Sequence, residues 1–99
     1  MPITMNDWIK HIQSEGWSLH MSGGANVRWY IRNDSYASLK VTTDEQGLIT
    51  CEVSACLPNT FIQVTSRDFA VSSLERSKYV SLLASRIDHA CRQYVNGAP

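Results

Sequence analysis

A chain of 99 residues can close one hydrophobic core and has too little surface to close two, so a single domain over 1–99 is expected. Nine lysines and arginines balance nine aspartates and glutamates, which excludes the basic excess that drives general attachment to a phosphate backbone. Three cysteines without paired spacing argue against a secreted disulfide framework. The first residues lack a basic stretch followed by an apolar run, so a cytoplasmic protein with no signal peptide and no membrane span is expected.

Thr4 followed three residues later by Asp7 has the spacing of a capping box with the shorter acid, and Trp8, Ile9 and Ile12 then recur at helical intervals. Gly16 stands where a glycine ends a helix. The resulting helix of about three turns is too short to persist alone in water and must lean on another element. Trp17, Leu19 and Met21 alternate with Ser18, His20 and Ser22, which predicts a first strand carrying three large residues into the core. Ser22, Gly23, Gly24 and Ala25 form the turn that follows.

Three strands come next. In 27–32 the alternation sends Val27, Trp29 and Ile31 inward and Arg28, Tyr30 and Arg32 outward. In 36–43 it sends Ala37, Leu39 and Val41 inward, and in 48–56 Ile49, Cys51, Val53 and Ala55. Asn33, Asp34 and Ser35 supply the first intervening turn, and the tetrad Asp44, Glu45, Gln46 and Gly47 the second, ending in the residue that best tolerates positive φ. After the break at Leu57, Pro58, Asn59 and Thr60, residues 61–65 are rich in branched and aromatic side chains and predict a fifth strand, with 66–71 as a link.

Ser72 and Glu75 make a second capping box. Val80, Leu83, Ile87, Ala90 or Cys91, and Tyr94 follow at spacings of three and four, ahead of Asn96 and Gly97. This helix of about 23 residues is roughly 35 Å long, enough to cross a small sheet. The sum is an α+β fold of order α-β-β-β-β-β-α: a five-stranded antiparallel meander with a short N-terminal helix and a long C-terminal helix on the one apolar face.

The other sheet face is then the candidate binding surface. It is expected to present His20, Arg28, Tyr30, Arg32, Tyr36, Lys40, Thr50 and Glu52 together, a set rich in the arginine and tyrosine that dominate interface hot spots. The leading expectation is a small non-catalytic protein-binding module, an inhibitor of a larger protein or complex of the immunity-protein or phage anti-defence (anti-CRISPR) type, in a bacterial or phage setting. The alternative is single-stranded nucleic acid on the same face, where bases stack on rings and cations follow phosphates. Arg86, His89 and Arg92 on the outer side of the last helix form a second candidate surface. A homodimer, through an edge strand or the tyrosine-rich face, stays open.

Nothing in the chain specifies an enzyme, metal site or cofactor. Cys51 and Cys56 point to opposite faces of one strand, and no C-x-x-C is present. Cys51 and Cys91 are expected in the core, with Cys56 the more accessible thiol. Asp88, His89 and Cys91 diverge around their helix. No serine sits in a nucleophile elbow. A hydrolase using His20 with Arg28 or Arg32 would require those side chains to converge.

The run Trp8, Ile9, Lys10, His11 and Ile12, with Glu15-Gly16-Trp17 and Gly23-Gly24, resembles the opening of small interferase toxins of the double-stranded-RNA-binding fold. In that family a catalytic histidine follows the glycine turn. Here Ala25 and Asn26 occupy those positions, so the resemblance implies shared local geometry without the activity.

Overall fold

The computed structural model describes residues 3–24, 26–33, 35–55 and 69–97. The elements are α1 (Met5–Ser14), β1 (Trp17–Ser22), β2 (Val27–Arg32), β3 (Ala37–Thr43), β4 (Ile49–Ala55), β5 (Phe69–Val71) and α2 (Arg76–Gly97). The strands form one antiparallel sheet in the order β1-β2-β3-β4-β5. The α+β class and the meander are as the residue periods predict.

Local chemistry sets the ends of the elements. Thr4 Oγ1 accepts from the Asp7 amide at 3.1 Å, satisfying a donor that the first turn of α1 leaves open. Gly16 leaves the helix at a φ of +99°, a conformation that costs an L side chain about 1–2 kcal/mol. Gly47 does the same at +86° in the β3–β4 turn, where Asp44 Oδ1 accepts from the amides of Gln46 and Leu48.

Both helices pack on one face of the sheet, and the buried side chains form a single cluster. Trp8, Ile9 and Ile12 enter it from α1, Val80, Ala84, Ile87 and Cys91 from α2. The sheet contributes Ala37, Leu39, Val41, Ile49, Cys51, Val53 and Val71. α2 lies across β3 and β4, the central strands with the cleanest alternation.

The structure corrects several expectations. The strand expected at 61–65 lies outside the described residues, while part of the stretch read as a link forms β5, pairing Val71 with Ile49. Three residues are too few to display a period. In β1 only Trp17 is buried; Leu19 and Met21 are each 53% exposed. The strand occupies the sheet edge and carries His20 as an extra residue, so that Leu19 faces Tyr30 while Met21 faces Trp29. This bulge turns Met21 onto the face opposite Leu19. On α2, Tyr94 is exposed, whereas Ser77 and Ala84 are buried.

α2 is clamped to the start of β3 by Asp88. Its Oδ1 accepts from the Tyr36 amide at 2.8 Å and its Oδ2 from Arg92 Nε at 2.9 Å, with the Arg92 guanidinium over the Tyr36 ring at 5.5 Å. Burial works to raise the Asp88 pKa but is outweighed by these two hydrogen bonds and the charges of Arg92 and His89, which hold it below its ordinary 3.8. A carboxyl depressed on folding adds stability above its unfolded pKa and loses it as pH falls through the folded one. Asp88→Ala is therefore expected to cost about 1.5–3 kcal/mol at pH 7, the range for hydrogen bonds to a charged group. In urea titrations the gap from wild type should close below about pH 3.8, and a gap independent of pH would show that the charge is not involved.

Candidate functional site: the open sheet face

Strand register decides which side chains the open face carries. Tyr30 stands opposite Leu39, and Leu39 opposite Val53. All three are buried, Tyr30 with 1% of its surface exposed. Because side chains alternate, Arg28 and Arg32 share the helix-covered side with Tyr30, and Val27, Trp29 and Ile31 point the other way. The expected outward set is corrected accordingly: Arg28, Tyr30 and Arg32 do not belong to the open face. β2 has an aromatic or aliphatic residue on both faces, so its period alone does not select a side.

The arginines tolerate the inward direction because they flank Tyr30 toward the strand's ends, where long apolar stems can run beside the core while the heads reach polar partners. Arg32 lies over the Trp17 ring at 4.5 Å and donates to Ser81 Oγ at 3.2 Å. Burial lowers its pKa, and the charge of Glu15 works against that. Tyr36 is also removed from the surface, half-buried against the core beneath Arg92. His20 is exposed at the β1 bulge.

Lys40, Thr50 and Glu52 do occupy the open face. Lys40 stands opposite Trp29 on one side and Glu52 on the other, so Met21, Trp29, Lys40 and Glu52 make one row across four strands. The Lys40 Nζ lies 6.0 Å from the centroid of the Trp29 ring. The row on one side of it runs Ser18, Ile31, Ser38 and Ser54, and the row on the other side Val27, Thr42, Thr50 and Ala70. A recess of about 220 Å³ opens beside Lys40, Thr42, Thr50 and Glu52. The face is thus bulky and apolar over β2, charged where Lys40 of β3 meets Glu52 of β4, and otherwise small and polar over β3 and β4. Gly23 supports Trp29 from below: a Cβ there would sit 3.1 Å from the indole ring. The Gly-Gly turn was the one feature of the sequence consistent with a large side chain folded against it.

A second polar cluster joins elements far apart in sequence. His11 Nε2 lies 2.9 Å from Ser77 Oγ and 3.2 Å from Glu15 Oε1, bridging α1 to α2. Serine, histidine and acid are the components of a hydrolytic triad, but both partners address the same ring nitrogen, whereas a triad needs the acid on the other one to orient the base. Ser77 is only 4% exposed and presents no nucleophile to a substrate. The cluster acts as a bracket between helices. The strand register pairs His20 with neither arginine: Arg28 stands opposite Ser22 and Arg32 opposite Trp17. The outer α2 surface keeps Arg86 and His89 exposed, while Arg92 is engaged with Asp88 and Tyr36.

Cys51 and Cys91 are free thiols in the core. Burial pushes Cys51 up to about 12, with a smaller opposing contribution from its contact with the Trp8 indole. Cys91 is also raised, by burial and then by the charge of Asp88. Since the thiolate is the reactive form, iodoacetamide at pH 8 is expected to leave both unmodified in the native protein and to alkylate both in denaturant. Peptide mass spectrometry checks this; rapid native labelling of Cys51 would contradict its burial. Cys56 lies outside the described residues.

A cavity of about 330 Å³ at the end of the sheet is lined, among the described residues, by Ile3, Gln46, Gly47, Leu48, Ile49, Val71 and Ser72, none of them ionisable. Among the described residues no three histidine, cysteine or acidic side chains gather as metal ligands, and no helix is long and apolar enough to cross a membrane. No protein-family model, curated protein or solved structure matches the chain.

Proposed function

We propose that this chain is a small cytoplasmic protein-binding module that docks its open sheet face on a larger protein and inhibits it, in the manner of immunity or phage anti-defence proteins. The observation that supports this is the row Met21, Trp29, Lys40 and Glu52, an aromatic anchor beside two opposite charges on a face that neither helix covers. A tryptophan with adjacent apolar surface and a polar surround is the composition of an interface hot spot. Binding single-stranded nucleic acid on this face is less favoured, because Arg28 and Arg32 sit on the other face and the remaining Lys40 has Glu52 directly across from it.

Affinity capture from a native lysate, with nuclease in one arm, tests the reading with wild type beside Trp29→Ala. A protein retained in both arms and weakened at least about 30-fold by Trp29→Ala, the factor corresponding to a hot-spot loss of 2 kcal/mol, supports it. Retention that survives Trp29→Ala moves the site elsewhere, and retention lost to nuclease assigns the face to nucleic acid. The substitution should leave the fold intact, since Trp29 lies outside the core cluster.

A further inference from the structure

The open face is complementary to itself. We infer that a second copy of this chain occupies it in the free protein, packing sheet against sheet about a two-fold axis, so that self-association competes with the partner. This rests on the reading of that face as a protein interface and names how it is regulated.

Charge chooses the arrangement. Lys40 and Glu52 are cross-strand neighbours on β3 and β4. A two-fold axis running along the strands, between β3 and β4 and midway between two stacked sheets, carries each row onto itself in reverse. It therefore sets Lys40 over Glu52 of the second copy and Glu52 over its Lys40. An axis through β3, or one running across the strands at this row, would set Lys40 against Lys40, and like charges in contact oppose association.

Shape agrees with charge. The same axis carries Val27 of β2 over Ala70 of the second copy, Thr42 over Thr50 and Ser38 over Ser54. Each of these contacts sets a side chain of β2 or β3 on a small residue of β4 or β5. Sheets stack about 10 Å apart with strands within about 30° of parallel, a spacing that large-on-small contact fills better than large on large. The interface is isologous, using one patch twice, as two-fold dimers require.

Sedimentation equilibrium on the full chain tests this. Wild type is expected to rise with concentration from 11.1 kDa toward twice that mass. Lys40→Glu and Glu52→Lys each place two like-charge contacts in the dimer, and each should weaken dimerisation by about tenfold or more. Mixed in equal amounts they should regain most of the wild-type affinity, because both contacts become complementary in the mixed dimer. Any effect on the cross-strand pair within one chain is unchanged by mixing, and circular dichroism confirms that each variant is folded.

A wild type that stays monomeric to its solubility limit overturns the inference, as do variants that dimerise like wild type or a mixture no tighter than either variant alone. None of these outcomes touches Trp29-dependent capture of a partner, which stands or falls separately. Dimerisation with charge rescue, accompanied by capture that ignores Trp29→Ala, would keep the dimer and refute the proposed docking face.

Discussion

Tyr30→Ala is expected to lower stability by about 3–5 kcal/mol, the cost of truncating a large aromatic side chain in a packed core. The ring is 1% exposed and stands in line with Leu39 and Val53 beneath the helices. Small domains hold about 5–15 kcal/mol in total, so the variant should be marginal or unfolded at 37 °C. With a urea slope of about 1–3 kcal/mol per molar, its midpoint should fall by a molar or more. The result also tests strand register: stability within about 1 kcal/mol of wild type would return Tyr30 to solvent, and Arg28 and Arg32 with it.

Trp8→Ala should be comparably damaging, by about 3–5 kcal/mol, because the indole is fully buried and joins α1 to the sheet beside Cys51. Trp8→Phe is the more informative variant. The indole N–H makes no well-formed hydrogen bond among the described residues and has only the weak acceptor Cys51 Sγ beside it, and a poorly satisfied buried donor carries a desolvation penalty of up to about 1–3 kcal/mol. Phenylalanine loses apolar area but removes that penalty, so urea melts should place it much nearer wild type than alanine. Equal losses for the two variants would mean that the N–H is satisfied in solution and that the ring's full size is required.

Some elements could be read without coordinates of any kind. Thr4 with Asp7 and the glycine at 16 bounded α1 within a residue or two, because a cap is a local contact between near neighbours. Ala37, Leu39 and Val41 on β3, with Ile49, Cys51 and Val53 on β4, were legible because their opposite-facing residues are polar and only one register buries oil.

The candidate site was only half legible, for the converse reason. Lys40 and Glu52 were found on strands with one apolar face. Trp29 was misplaced because β2 offers bulky side chains on both faces, and Met21 because a single extra residue in β1 reverses its direction. The contact of His11 with Ser77 spans 66 positions and leaves no mark in local spacing.

Local order along the chain determined the class of fold, the sequence of its elements and the strands at its centre, since caps, turns and two-residue periods act between residues close in sequence. The tertiary structure alone decided which face of β2 enters the core and which side chains line up across the sheet. Those choices are made by neighbours on other strands and by α2, through packing that excludes Arg28 and Arg32 from the open face and leaves Trp29 there with Lys40 and Glu52.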